Sequence, residues 1–251
     1  MNRILLEVCC GSADDVIEAY RAGADRVELN SNLFHGGLTP TAGSLVTAKR
    51  ETGMKIMTMI RPREGGFCYT DAEFRTAVAD AEVLLEHGSD GLVFGFLHED
   101  GTVDAERTKI LADIALSAGK EAVFHRAIDV VPDWKEALDV LIDIGITRVL
   151  TSGQEPDVMY GTETVREMRE YAAGRIQILP GAGINARNLD RIIAATGTDQ
   201  IHVAAHRQVY DTSTANNRAI FYGGCLYPPE DRFSIIDREY ISGISARLQA
   251  D

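Results

Sequence analysis

Short apolar runs recur along the chain, and longer stretches that mix polar and apolar residues separate them. Each run is largely continuous in apolar residues, as is typical of parallel strands that are buried on both faces. The pattern predicts eight strands, at residues 4–8, 26–29, 55–60, 91–94, 122–124, 148–151, 176–179 and 200–203.

Glycines and capping residues mark the stretches between these strands as helices. Glycine readily adopts the left-handed conformation that ends a helix, and seven glycines stand shortly before an apolar run. They are Gly23, Gly53, Gly88, Gly119, Gly145, Gly174 and Gly197. Ser12 and the capping-box pair Thr70 and Glu73 indicate helix starts. Asp133 with Glu136 resembles a second such pair.

The eight strand–helix units predict an α/β fold, a single (β/α)8 TIM barrel that comprises residues 1–251. The length of 251 residues is close to the roughly 250 residues that are typical of this fold. Within it we predict a long loop at 204–233 and a C-terminal helix at 234–251. An open, doubly wound sheet has the same alternation, but evenly spaced units along the whole chain favour the barrel.

Charge and cysteine content exclude several classes of protein. The net charge is −13 without a cluster of lysines and arginines, so we expect no nucleic-acid partner. No apolar run approaches the roughly 18 residues that span a bilayer, and Glu7 comes too early for a signal-peptide core. Cys9, Cys10, Cys68 and Cys225 are few and irregularly spaced, which does not indicate a disulfide framework. We therefore expect a cytoplasmic protein with no membrane partner.

Charged residues at the carboxyl ends of the predicted strands indicate where the chemistry lies, because barrel enzymes build their sites there. Such residues are costly at the end of an apolar strand unless they are paired or functional. The candidate catalytic residues are Glu7, Glu28, Arg61, His125 and Arg126. Glu7 or Glu28 would act as general base and His125 as acid or proton shuttle. The two arginines would stabilise charge, and His125 or Arg126 should point into the barrel mouth.

We expect Glu7, Glu28 and Arg61 to form one cluster, since they end three consecutive strands. Two carboxylates in a dry site would repel and raise one pKa unless a cation lay between them. The planar fork of Arg61 could satisfy both acids.

A second set of residues would bind the ligand. Its candidate members are Arg63, Ser152, Gly153, Gly181, Gly183 and His202. Exposed amides in the 181–183 loop could hold a phosphate or carboxylate, as barrels often do after strands seven and eight. A plain tight turn is the alternative there, and a core histidine is the alternative at position 202. The expected partner is a small anionic molecule, and no nucleotide fingerprint is present.

At these positions the chain resembles the copper homeostasis protein CutC family. The resemblance is carried by the stretches 7–9, 23–29, 36–40, 60–63, 124–127, 148–153 and 181–184. It implies a barrel, a cytoplasmic location, self-association into a homo-oligomer and a link to copper tolerance. Cu(I) binding is implied for some members, and an enzymatic activity is suspected for the family.

The resemblance also implies that Cys9 is a copper ligand, although Cu(I) usually needs at least two soft ligands. The second family cysteine corresponds to Asn30, and an amide is a poor Cu(I) ligand. Cys10 should point to the opposite face of its strand, which leaves Cys68 as a substitute. A divalent metal held by glutamates with His125 or His202 is an alternative.

Three hypotheses follow from the sequence. The first is an enzyme that transfers protons on a small anionic metabolite, as an isomerase, epimerase or lyase without a nucleotide cofactor. The second is a Cu(I)-binding homeostasis protein without catalysis. The third is a scaffold whose barrel mouth holds only a structural network of ion pairs.

Overall fold

Alternating strands and helices build the computed structural model, which describes residues 3–217, 219–222 and 231–249. The barrel strands are β1 Leu5–Cys10, β2 Arg26–Leu29, β3 Lys55–Met59, β4 Gly91–Phe94, β5 Glu121–Phe124, β6 Arg148–Thr151, β7 Gln177–Pro180 and β8 Gln200–Val203. The α-helices are α1 Ala13–Arg21, α2 Ala42–Glu51, α3 Asp71–Glu86, α4 Ala105–Ser117, α5 Trp134–Ile144, α6 Thr162–Ala172, α7 Leu189–Thr196 and α8 Arg238–Gln249. Short 3-10 helices cover Leu33–His35, Arg126–Val130 and Thr212–Thr214.

The eight strands lie in the order β7-β6-β5-β4-β3-β2-β1-β8, and all their pairings are parallel. The sheet curls into a nearly closed barrel, and at the remaining seam Gln200 of β8 donates to Gln177 of β7 at 3.3 Å. The predicted (β/α)8 TIM barrel is therefore confirmed. All eight predicted strands are present, and the bounds differ most at β1, which continues to Cys10.

Two boundaries in the C-terminal segment need correction. The predicted loop at 204–233 contains strand β9, His206–Tyr210, and strand β10, Arg232–Ile236, pairs with it in antiparallel register. The predicted terminal helix accordingly begins only at Arg238. The buried carboxylate of Asp15 accepts a hydrogen bond from the Ile236 backbone at 2.7 Å and so anchors the hairpin to the barrel. Residues 223–230 of this segment, with Cys225, lie outside the described residues.

The helix boundaries follow from local capping. Ser12 and Thr70 accept hydrogen bonds at the starts of α1 and α3, and Thr70 with Glu73 forms the predicted capping box. Of the seven glycines that were predicted to end helices, six have positive φ angles, and Gly53 is the exception. There the hydroxyl of Thr52 donates to the Ala48 carbonyl at 2.8 Å and ends α2 without a left-handed residue. In the described ranges, every helix is too short or too polar to cross a bilayer.

The alternation of side chains along the strands separates the apolar core outside the barrel from an interior that is polar at β1, β2 and β8 and apolar at Met57, Met59, Val93 and Val123. Val8 and Cys10 of β1 are fully buried in the apolar core outside the barrel, which packs the strands against the helices. Because neighbouring residues of a strand point to opposite faces, Glu7 and Cys9 point inward. Across the ladders Glu7 pairs with His202 and Cys9 pairs with Glu28. This register places four polar side chains together inside the barrel.

Packing inside the barrel predicts that Gly91→Ala destabilises the protein. The added Cβ would lie 2.8 Å from the Glu121 carbonyl oxygen and 2.6 Å from the Met57 sulfur. We expect a loss of about 1–3 kcal/mol, the usual cost of overpacking a core. Gly53→Ala is the matched control, because a Cβ there meets no atom within 4 Å. Urea unfolding of both variants checks this, and equal midpoints would show that β4 has room for a methyl group.

Candidate active site

A cavity of about 610 Å³ opens at the carboxyl ends of the strands, and we call it the mouth cavity. Seven of the predicted site residues line it: Cys9, Glu28, Arg61, His125, Arg126, Gly183 and His202. Other lining residues, including Phe67, Ile184 and Asn185, were not predicted from the sequence. Apolar and amide side chains in loops give no chemical signal. Glu7, Arg63, Ser152, Gly153 and Gly181 do not line the cavity.

Glu7 lies beneath the cavity rather than in it. One carboxylate oxygen accepts a hydrogen bond from Arg26, and the other lies 2.8 Å from Nδ1 of His202. Burial raises the pKa of Glu7, but the positive charge of Arg26 and the hydrogen bond from His202 outweigh it and hold the pKa well below its usual range. Glu7 is therefore a poor general base, and its expected contact with Arg61 is wrong.

A buried polar network continues below Glu7. Arg26 also donates to Gln200 at 3.0 Å, while Arg148 donates to Glu121 at 2.7 Å and to Gln177 at 3.1 Å. The sequence analysis did not select Arg26 or Arg148, although a charged residue that begins a buried strand was an available signal.

Arg61 braces two loops instead of bridging two acids. Its guanidinium donates to the carbonyl oxygens of His35, Gly37 and Gly65 at 2.8–2.9 Å. It also lies over the Phe67 ring, 5.6 Å from the centroid. The expected Glu7–Glu28–Arg61 cluster is therefore wrong, because the long arginine side chain turns toward unpaired loop carbonyls.

Cys9, Glu28 and His202 form the floor of the cavity, and we call them the floor cluster. A sulfur, a carboxylate oxygen and an imidazole nitrogen from these residues lie within 4.8 Å of one another. Asn30, at the position of the second family cysteine, donates through Nδ2 to Glu28 at 2.9 Å and to the Cys9 sulfur at 3.7 Å. The amide thus fixes two of the three groups.

The floor cluster has perturbed protonation equilibria. Burial raises the pKa of Glu28, and nearby Glu7 adds to this effect. Burial also raises the pKa of the Cys9 thiol. Burial disfavours the charged form of His202, but its interactions with Cys9, Glu7 and Glu28 raise the pKa of His202 well above its usual value. Such perturbed groups in a cleft are typical of functional sites.

His125 directly follows β5 and presents a neutral ring to the cavity. Its Nδ1 lies 3.1 Å from the Ala127 backbone N–H and accepts its hydrogen bond, so the proton of the neutral ring is on Nε2. Nε2 is buried without a hydrogen-bond partner. Burial and the positive charge of Arg61 lower the pKa of His125 to about 3. The imidazole is thus a neutral hydrogen-bond donor, and its expected role as acid or proton shuttle stays a prediction.

Arg126 lines the cavity while it holds the loop after β6. It donates to Asp129 and to the Ser152 hydroxyl, both at 2.7 Å. The Asp129 carboxylate accepts the backbone N–H of Ser152 at 3.0 Å, and Thr151 accepts that of Gly153. These amides already have acceptors, so they are not available to the expected anionic ligand.

The two predicted glycines of the loop after β7, Gly181 and Gly183, have different roles. Gly181 donates to the Thr151 carbonyl at 2.9 Å and so extends the sheet. Gly183 has a φ of +82°, and a Cβ there would lie 2.1 Å from the Asp157 carboxylate. Within the described part of the chain, the N–H groups of Gly183 and Ile184 have no acceptor. These two N–H groups, and that of Ala182, which likewise has no acceptor among the described residues, remain available to a ligand.

Arg63 braces the 64–70 loop from outside the cavity. It donates to Glu73 at 2.7 Å and to the Cys68 carbonyl at 2.8 Å, and its guanidinium lies 4.8 Å from the Tyr69 ring centroid. Every donor contact of its side chain is to the loop or to α3, so Arg63 supports the cavity wall.

The fold and the mouth cavity define a (β/α)8 barrel whose site lies at the carboxyl ends of the strands. Residues 4–207 match the model of the CutC family. A CutC family protein of Treponema denticola is 52% identical over 235 residues, which cover 94% of this chain and 95% of the relative. The human protein named copper homeostasis protein cutC homolog is 37% identical over 98% of this chain and 89% of its own length. The chain belongs to the CutC family.

A solved structure agrees with this assignment. The crystal structure of a CutC protein from Streptococcus agalactiae superposes with a TM-score of 0.75 at 36% identity. The match covers 79% of this chain and 97% of the other chain. The family resemblance seen in the sequence is therefore confirmed.

The environment of His125 predicts that its ring does not titrate near neutral pH. Because its folded pKa is about 3 and an unfolded histidine has a pKa of about 6.5, only the unfolded chain gains this proton as the pH falls below 6.5. The free energy of unfolding should therefore fall between pH 6.5 and 3, and fall less in His125→Gln. Nitrogen chemical shifts, assigned with that variant, should be constant from pH 8 to 5. A midpoint near 6.5 would contradict this environment.

Proposed function

We propose that the protein is an enzyme that transfers a proton on a small anionic metabolite, in an isomerase, epimerase or lyase reaction. The supporting observation is the unpartnered Nε2 of His125, a donor buried at a cavity of about 610 Å³. A buried donor without an acceptor is costly to the fold. A ligand oxygen would satisfy it once the groups that bury Nε2 had shifted.

Other groups that line the cavity suit the anionic group of the ligand. Arg126 supplies a cation at its edge, and the free amides of Gly183 and Ile184 supply neutral donors. Since the chain has a net charge of −13, an anion needs local positive charge to enter. Arg126 is partly exposed and so accessible to such a ligand.

The roles in proton transfer follow from these protonation states. His125 would donate through Nε2 to the ligand oxygen on which negative charge develops, and a neutral donor placed in advance stabilises that charge in the transition state. The floor cluster would supply the proton acceptor. Glu28 belongs to it, and its raised pKa brings it closer to the working pH, as an efficient acid–base group requires.

Cu(I) binding is the alternative that the relatives' names favour, but the donor set fits it poorly. Cu(I) prefers several soft ligands. Of the three described cysteines, only Cys9 lines the cavity. The Cys10 sulfur lies on the opposite face of β1, 3.7 Å from the Val8 carbonyl, and Cys68 is exposed in the 64–70 loop. The proposed proton transfer therefore does not involve copper. The cytoplasmic location and the homo-oligomer stay predictions.

A thermal-shift screen of phosphorylated and carboxylated metabolites tests the proposal. We expect a hit whose affinity falls at least about tenfold in Arg126→Gln, because a charge-assisted hydrogen bond contributes about 1.5–3 kcal/mol. Arg166→Gln removes the same charge from the exposed side of α6 and is the matched control. In heavy water the hit should exchange a carbon-bound proton, and Glu28→Gln should abolish that exchange. No hit, or equal binding and exchange in the variants, would refute the proposal.

A further inference from the structure

We propose that Cys9, Glu28 and His202 bind one divalent transition-metal ion of the zinc type. The three residues come from β1, β2 and β8, which are adjacent in the barrel. Their donor atoms lie within 4.8 Å of one another at the floor of the mouth cavity. The inference concerns the same cavity as the proposed function and rests on that function only for the role of the ion.

The spacing of two of the donors, the Cys9 sulfur and a Glu28 carboxylate oxygen, suits tetrahedral coordination. Zinc binds sulfur at about 2.3 Å and carboxylate oxygen at about 2.1 Å, which puts the two ligand atoms about 3.6 Å apart on a tetrahedral ion. The Cys9 sulfur lies 3.8 Å from Oε2 of Glu28. Small side-chain rotations would therefore bring both onto one ion.

The residues around the cluster orient its ligands. A metal-binding histidine usually donates its other ring N–H to a carboxylate, which fixes the tautomer and the ring. Nδ1 of His202 lies 2.8 Å from the Glu7 carboxylate, so Nε2 is the nitrogen available to an ion. Arg26 in turn fixes Glu7, and the Asn30 amide fixes Glu28 at 2.9 Å. This is the support that a metal site needs beyond its ligands.

The donor types select the class of ion. A thiolate, an imidazole and a carboxylate together suit Zn²⁺ and similar borderline ions. Mg²⁺ and Ca²⁺ prefer oxygen alone, and Cu(I) prefers several soft donors. Binding would release the protons of Cys9 and His202, because a metal ion takes these groups as thiolate and neutral imidazole. Two anionic ligands would then balance the double charge of the ion.

Three protein ligands beside a cavity are the pattern of a catalytic zinc site rather than a structural one. Catalytic sites keep a fourth position for water or substrate. Glu28 and His202 are buried at 4% and 8% exposure, yet both line the cavity. In the proposed function, Cys9, Glu28 and His202 would hold the ion, which would supply a base at its open position by lowering the pKa of water there.

Titration of the full chain with Zn²⁺ and Co²⁺, after treatment with a chelator, tests the site. We expect one ion per chain and, with Co²⁺, a thiolate-to-metal charge-transfer band. Cys9→Ser should lose that band, whereas Cys68→Ser, which removes an exposed thiol outside the cavity, should keep it. X-ray absorption of the zinc-loaded wild type should find one sulfur atom bound to zinc. This measurement does not depend on the folding of any variant.

Several results would overturn the inference. The first is that the wild type binds neither Zn²⁺ nor Co²⁺ stoichiometrically. The second is that the charge-transfer band persists in Cys9→Ser, and the third is tight Cu(I) binding without Zn²⁺ binding. If the protein bound the metal ion but no anionic metabolite, the metal site would be upheld and the proposed function would be contradicted. Proton exchange on a ligand by a wild type that binds no ion would uphold that function and contradict the metal site.

Discussion

The carboxylate of Glu7 lies between Arg26 and His202, and the geometry of the site depends on this buried arrangement of charges. A charge in a barrel interior costs several kcal/mol unless it is fully paired. Arg26 pairs with Glu7 from below, and His202 does so from the side of the cavity. The acid therefore fixes the ring of His202 and connects the polar interior of the barrel with the floor cluster.

Most of the polar groups around the mouth hold loops in place. Arg61 donates hydrogen bonds to the carbonyl oxygens of His35, Gly37 and Gly65. The carboxylate of Asp129 accepts hydrogen bonds from backbone N–H groups that follow β6. The groups that remain available are different in kind: the Nε2 donor of His125, the free amides of the β7 loop and the floor cluster. A network that merely capped the core would have satisfied the Nε2 donor of His125 and these amides as well, so the structural scaffold explains the site less well than a binding site does.

The sequence predicted the barrel because its signals are local. Apolar runs mark the strands, and the left-handed glycines end the helices whatever packs against them. The same argument placed Glu28, His125 and His202 at the mouth, since the carboxyl end of a strand is defined by where its apolar run stops. The β9–β10 hairpin was missed, because it depends on the distant Asp15 and on pairing between separate segments.

The partners of each side chain could not be predicted in the same way. The position of Arg61 at the end of its strand predicts that it lies at the mouth. Its hydrogen-bond partners could not be predicted, because they are carbonyl groups whose positions depend on the folded loops. Ser152 and Gly153 carry the right donors, yet Asp129, 23 residues earlier than Ser152, already occupies the Ser152 amide. Likewise the alternation of β1 turned Glu7 inward but did not reveal Arg26, the residue that removes Glu7 from acid–base chemistry.

The zinc affinity of Glu7→Gln tests most directly whether this buried acid organises the site. The substitution leaves Cys9, Glu28 and His202 in place but weakens the hold on the His202 ring. Loss of such a supporting carboxylate typically costs about 10–100-fold in metal affinity. We predict a loss of this size in the folded variant, and no change in Glu163→Gln, which removes an exposed charge on α6. Wild-type affinity in Glu7→Gln would contradict the account.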